Sequence, residues 1–99
     1  MPRLNVEATA FCDNKVSKPR LSPNGRGGCL GCIATDPNKI PYGTHITVYE
    51  LNTNNAIYNG VVCDYCGDAV KRPDILIDLW FQDKKTCRQF GRKQVTIEY

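Results

Sequence analysis

Three aspartates sit in local frames that could do proton chemistry. Asp36 lies in Ala34-Thr35-Asp36-Pro37 leading to Ile40-Pro41-Tyr42-Gly43-Thr44, Asp64 in Val62-Cys63-Asp64-Tyr65-Cys66-Gly67, and Asp78 in Ile75-Leu76-Ile77-Asp78-Leu79-Trp80-Phe81. Asp78 is the anomaly, a carboxylate inside an almost continuous apolar run. Strand interiors are poor in Asp, and a buried carboxylate is costly unless it is paired or does work. A general acid, its pKa raised by desolvation and by neighbouring carboxylates, would account for it. The competing account is that Asp78 accepts backbone N–H bonds and orders the fold. Asp36 also has a plain explanation, since Asp-Pro commonly starts a turn.

The elements that must position these groups read as strands. Val6–Phe11 alternates, Ile33–Thr35 is a short strand, and Thr44–Leu51 is β-branched and alternating. Asn52-Thr53-Asn54-Asn55 is a hairpin turn, followed by strands over Ala56–Asp64, Ile75–Phe81 and Gln94–Tyr99. Gln82–Phe90 predicts the one short helix, ended by Gly91. The stretch from Asp13 to Gly28, rich in Asn, Pro, Ser and Gly, is a long loop. With 99 residues the chain is one domain, 1–99, and its short strands and turns favour an all-β sandwich or barrel.

Composition narrows the function by exclusion. A net charge of +3 is too weak to argue nucleic acid, though it suits an anionic polymer. No stretch is long and apolar enough to span a membrane, so no membrane insertion is expected. Met1-Pro2-Arg3 leads straight into the domain with no signal peptide, as in a phage product or a domain fragment. The single histidine, His45, sits in an alternating strand with no nucleophile implied beside it. Lys71, Arg72, Lys84, Lys85, Arg88, Arg92 and Lys93 cluster late in the chain, as a solvated face or as a contact for anionic wall polymer. Trp80 either packs or, if exposed, stacks on a sugar face.

Six cysteines in a small domain fit disulfides and an oxidising location. A Cys12–Cys29 bond would pin the long loop. Cys29-x-x-Cys32 and Cys63-x-x-Cys66 also carry zinc-ligand spacing, so a zinc-stabilised interaction module is a second reading and free thiols a third.

The order of motifs goes further. Ala8-Thr9-Ala10-Phe11-Cys12 is followed by the Asp36 block, then Cys66-Gly67-Asp68-Ala69-Val70-Lys71, then Ile77-Asp78-Leu79, then Cys87-Arg88-Gln89-Phe90-Gly91-Arg92. From Thr9 to Ile97 the chain resembles the three-aspartate (3D) domain family, which includes the catalytic domain of a membrane-bound lytic transglycosylase and small bacterial and phage cell-wall proteins. The resemblance implies a six-stranded double-psi β-barrel. It implies Asp78 as catalytic acid/base, with Asp36 and Asp64 in the same groove. Thr9, Lys71 and Trp80 are the expected substrate contacts.

The expected partner is peptidoglycan or a related polysaccharide, with no cofactor. The expected location is extracellular or at the cell wall, as a monomer or within a larger assembly. The rival within this fold is a non-catalytic, expansin-like carbohydrate-binding barrel. Two departures stand out. If the Cys66-Gly67 run sets the register, Tyr65 takes the middle aspartate's place, and a one-residue slip in a strand reverses the face. The turn before Asp78, Lys71-Arg72-Pro73-Asp74, is also longer than the family's usual one and brings Asp74 near the groove.

Overall fold

The computed structural model describes residues 2–12 and 31–99, so the expected loop from Asp13 to Gly28, Cys29 and any Cys12–Cys29 bond lie outside the described residues. Six strands form a closed barrel: β1 (Arg3–Phe11), β2 (Cys32–Thr35), β3 (His45–Glu50), β4 (Ala56–Tyr65), β5 (Leu76–Trp80) and β6 (Lys93–Glu98). Two short helices accompany them, α1 (Gly67–Val70) after β4 and α2 (Lys84–Phe90) after β5. The sequence anticipates α2 and misses α1, which at four residues is too short to show a helical period.

Around the barrel the strand order is β1-β5-β2-β4-β3-β6. β1 runs parallel to β5, β2 parallel to β4, and β5 antiparallel to β2. Consecutive β1 and β2 are thus separated by β5, while β4 and β5 are separated by β2. These two interlocked crossings make the barrel double-psi.

Alternation decides what fills it. Val6 and Ala8 of β1, Ile46 and Val48 of β3, Ile77 and Leu79 of β5, and Val95 and Ile97 of β6 are buried together in one cluster. Each of the Val, Ile and Leu side chains among them contributes roughly 1.5–3 kcal/mol on leaving water. The residues between them, including Glu7, Thr9 and Asp78, are less buried and lie on the other face of their strands.

Two local features set the register. At β4 the pairing shifts, with Ile33 opposite Val62 but Ala34 opposite Asp64. Cys63 is the extra residue of this bulge. Three residues earlier, a Cβ on Gly60 would lie 2.5 Å from the Gly31 carbonyl oxygen and 2.9 Å from the Ile33 side chain. Only glycine lets β4 approach β2 this closely.

The hairpin between β3 and β4 turns through Asn52, whose φ of 58° Asn tolerates better than most residues. It is tied to the barrel by the Asn52 N–H donating to Thr96 Oγ1 (2.8 Å) and by Asn5 Nδ2 donating to Asn52 Oδ1 (2.9 Å).

Cys32 and Cys63 are joined in a disulfide. This corrects the zinc reading, because two of the four proposed ligands (Cys29, Cys32, Cys63, Cys66) are bonded to each other. Among the described residues no group of three or more His, Cys, Asp or Glu is placed to hold a metal. The disulfide packs with Trp80 and Phe11 in a second apolar cluster. Trp80 is only 8% exposed, so of its two roles burial supports packing. Its indole N–H finds no hydrogen-bond partner among the described residues. No helix is long and apolar enough to cross a membrane.

Candidate active site

Strand register builds the site. Thr9 on β1 pairs with Asp78 on β5, Asp78 with Ala34 on β2, and Ala34 with Asp64 on β4. Paired residues share a face, so one row runs across four strands with Asp78 near its centre. The bulge at Cys63 keeps Asp64 in that row, while Tyr65 pairs one step on with Thr35.

Asp78 is half-buried, and Oδ1 accepts a hydrogen bond from Thr9 Oγ1 at 2.8 Å. Burial pushes its carboxyl up from 3.8 to about 6. The Thr9 bond and the Arg92 charge oppose that rise, while the Asp68 and Asp64 charges add to it. At about 6 the carboxyl is half protonated near pH 6 and still about one tenth protonated at pH 7, so both forms are accessible, as a group that gives and retakes a proton would require.

Removing the Thr9 hydroxyl in Thr9→Val takes away the principal interaction favouring the carboxylate. The Asp78 titration midpoint should therefore move upward, read from the pH dependence of its side-chain carboxyl carbon by NMR. An unchanged or lowered midpoint would mean that the bond does not tune Asp78.

Asp68 and Arg92 are the residues that sequence reasoning did not assign to the site. Asp68 stands in the first turn of α1, directly after Cys66-Gly67. Arg92 follows Gly91, which caps α2 with φ 65°. Its guanidinium donates to Glu7 Oε1, which also receives Arg72 Nη1 at 2.9 Å. Arg72 in turn grips Asp74 through two bonds of 2.9 and 2.7 Å. This network holds the Asp74 carboxyl down to about 2, chiefly through Arg72, and lowers Glu7 for the same reason. The extended turn before β5 is thereby fastened to β1 two residues from Thr9.

Cys66 lies beside the same carboxylates. Burial pushes its thiol up, and the Asp78 and Asp68 charges add to the effect. It is therefore a poor nucleophile at neutral pH. Tyr42 is raised in the same way, by burial and then by Asp64 and Tyr65. Its hydroxyl is buried with no partner among the described residues.

Asp36 acts differently. It is buried just after β2, Oδ1 accepts the Asn38 N–H at 3.0 Å, and Oδ2 lies 3.5 Å from Lys39 Nζ. That ammonium also donates to the carbonyls of Ala69 (3.1 Å), Arg72 and Asp74 (3.0 Å). Asp36 thus anchors, through Lys39, the segment that carries α1 into β5. Lys71 is exposed at the C-cap of α1, and His45 is exposed on β3.

A closed six-stranded double-psi barrel with a half-buried aspartate on its outer strand face defines the class: a small barrel that presents a carboxyl of raised pKa on a lateral surface. The chain matches the 3D domain over residues 31–99, and it belongs to that family. No curated protein and no solved structure matches it.

Proposed function

We propose that this barrel cleaves the glycan strand of peptidoglycan as a lytic transglycosylase, with Asp78 as the single acid/base. Protonated Asp78 gives its proton to the glycosidic oxygen as the C1–O bond breaks. The resulting carboxylate then takes the proton of the muramyl 6-hydroxyl as that oxygen closes on C1, leaving a 1,6-anhydro product and a re-protonated Asp78. No activated water is needed, so one carboxyl suffices, whereas hydrolysis calls for a second. Asp64 and Asp68 stabilise positive charge developing at C1. Asp36 keeps the α1–β5 segment in place through Lys39.

The observation that carries this reading is the half-buried Asp78, bonded to Thr9 and raised to about 6 by burial. Membership of a family associated with cell-wall glycan cleavage supports the substrate class. The Cys32–Cys63 disulfide fits work outside the reducing cytoplasm.

The test is mass spectrometry of soluble products from purified peptidoglycan. Anhydromuramyl ends from the wild type, absent with Asp78→Asn, are the expected result. Reducing ends would replace transglycosylation with hydrolysis and direct attention to Asp64 and Asp68 as the water-activating base. Wall binding without products would leave a binding barrel and end the enzyme reading.

A further inference from the structure

A second cysteine pair lies apart from the Cys32–Cys63 bridge. β1 ends at Phe11, whose carbonyl accepts the Phe81 N–H at 3.0 Å just beyond β5. The next residue, Cys12, points its sulfur at the same corner, with Sγ 3.5 Å from the Gln82 carbonyl oxygen. One residue further, Asp83 caps α2. Its carboxylate accepts the Thr86 N–H at 2.8 Å, and its carbonyl accepts the Cys87 N–H at 3.3 Å. Both cysteines are therefore tied to the short corner 81–83, Cys12 through its sulfur and Cys87 through its backbone N–H. Both are half-buried, within reach of a small reagent. Burial pushes the Cys87 thiol up, and the Cys12 sulfur within hydrogen-bonding reach adds to this.

We propose that Cys12 and Cys87 are an oxidisable pair that closes to a second disulfide, stapling the end of β1 to α2. The oxidant is a small-molecule disulfide such as oxidised glutathione. One cysteine thiolate attacks it, forming a mixed disulfide and releasing one glutathione thiolate. The second cysteine thiolate then attacks the protein-side sulfur, forming the Cys12–Cys87 bond and releasing the other. The protein loses two protons and two electrons, and one oxidised glutathione becomes two reduced ones.

The staple joins parts that serve the site. β1 carries Glu7 and Thr9, and α2 leads through Gly91 to Arg92, which bonds Glu7 and opposes the raised Asp78 titration. The bond holds together two elements otherwise linked at the site by the Arg92–Glu7 ion pair. The inference does not depend on the glycan-cleaving reading.

The test uses the full chain, incubated with oxidised glutathione, alkylated, and digested with trypsin without reduction. Cleavage after Lys and Arg separates Cys12 (residues 4–15), Cys29 with Cys32 (27–39), Cys63 with Cys66 (40–71) and Cys87 (86–88). The expected result is peptide 4–15 joined to 86–88, two hydrogens lighter than the sum and lost on reduction. Peptide 4–15 joined to 27–39 would overturn the proposal in favour of a Cys12–Cys29 bond. Alkylated Cys12 and Cys87, with 27–39 still joined to 40–71, would overturn it outright.

Discussion

Asp78→Asn should abolish glycan cleavage and, above pH 6, make the barrel more stable than the wild type by about 2 kcal/mol. The sign follows from the carboxyl's move from 3.8 to about 6 on folding, caused first by burial. The native state holds this proton more tightly than the unfolded chain. Asp78 therefore does no harm below about pH 4, and its cost to stability grows between pH 4 and 6 and levels off above.

The full shift corresponds to about 3 kcal/mol, reduced to about 2 kcal/mol because the group is only partly shielded from solvent. Asparagine keeps the shape and an oxygen for the Thr9 hydroxyl but never ionises. For a domain of this size the gain amounts to a rise in melting temperature on the order of 10 °C at pH 7.5, with wild type and variant coinciding near pH 4. Thermal unfolding at both pH values checks it. A variant that is less stable by the same amount at pH 4 and pH 7.5 would make Asp78 an ordering residue. A stability gain at pH 7.5 together with lost cleavage would be the pattern of a functional residue.

Reduction of Cys32–Cys63 should destabilise the fold by about 3–4 kcal/mol, the chain-entropy value for a closed loop of this length. The sequence separation is 31 residues, and the bond ties β2 to β4 at the bulge that sets the Asp64 register. It also forms the floor under Trp80 and Phe11. Urea unfolding of the wild type and of a Cys32→Ala/Cys63→Ala variant measures the effect. A loss below about 1 kcal/mol would show that β2–β4 pairing holds without the covalent link. The loss should also reach the site. With the bulge no longer pinned, Asp64 is free to slip, and cleavage should fall more steeply than the folded fraction.

The barrel was legible from the chain because its strands alternate cleanly. Ile46 and Val48, or Ile77 and Leu79, mark an inward face without reference to any partner. Asp78 was legible because it violates that pattern. Its neighbourhood was not. Thr9 and Asp78 are 69 residues apart and meet only because β1 and β5 pair in parallel.

Asp68 and Arg92 reach the site from a four-residue helix and a helix cap, neither of which leaves a periodic trace. The register of Asp64 depended on the bulge at Cys63, which no local sequence feature announces. The two Cys-x-x-Cys spacings suggested a metal, whereas the fold draws one cysteine from each into a single bond. Asp36 was correctly placed near a turn, but its link to the site through Lys39 and three distant carbonyls is tertiary.

The row Thr9–Asp78–Ala34–Asp64 draws on the first, fifth, second and fourth strands of the chain. A cut in the hairpin at Asn52–Asn55 would leave Thr9 and Ala34 on one piece and Asp64 and Asp78 on the other. Neither piece would hold a site, and a nascent chain lacks one until β5 has slotted between β1 and β2. The arrangement of these four residues is therefore a property of topological closure. If the barrel cleaves glycan as proposed, an unfinished or nicked chain carries no cutting activity, because its site exists only once the barrel has closed.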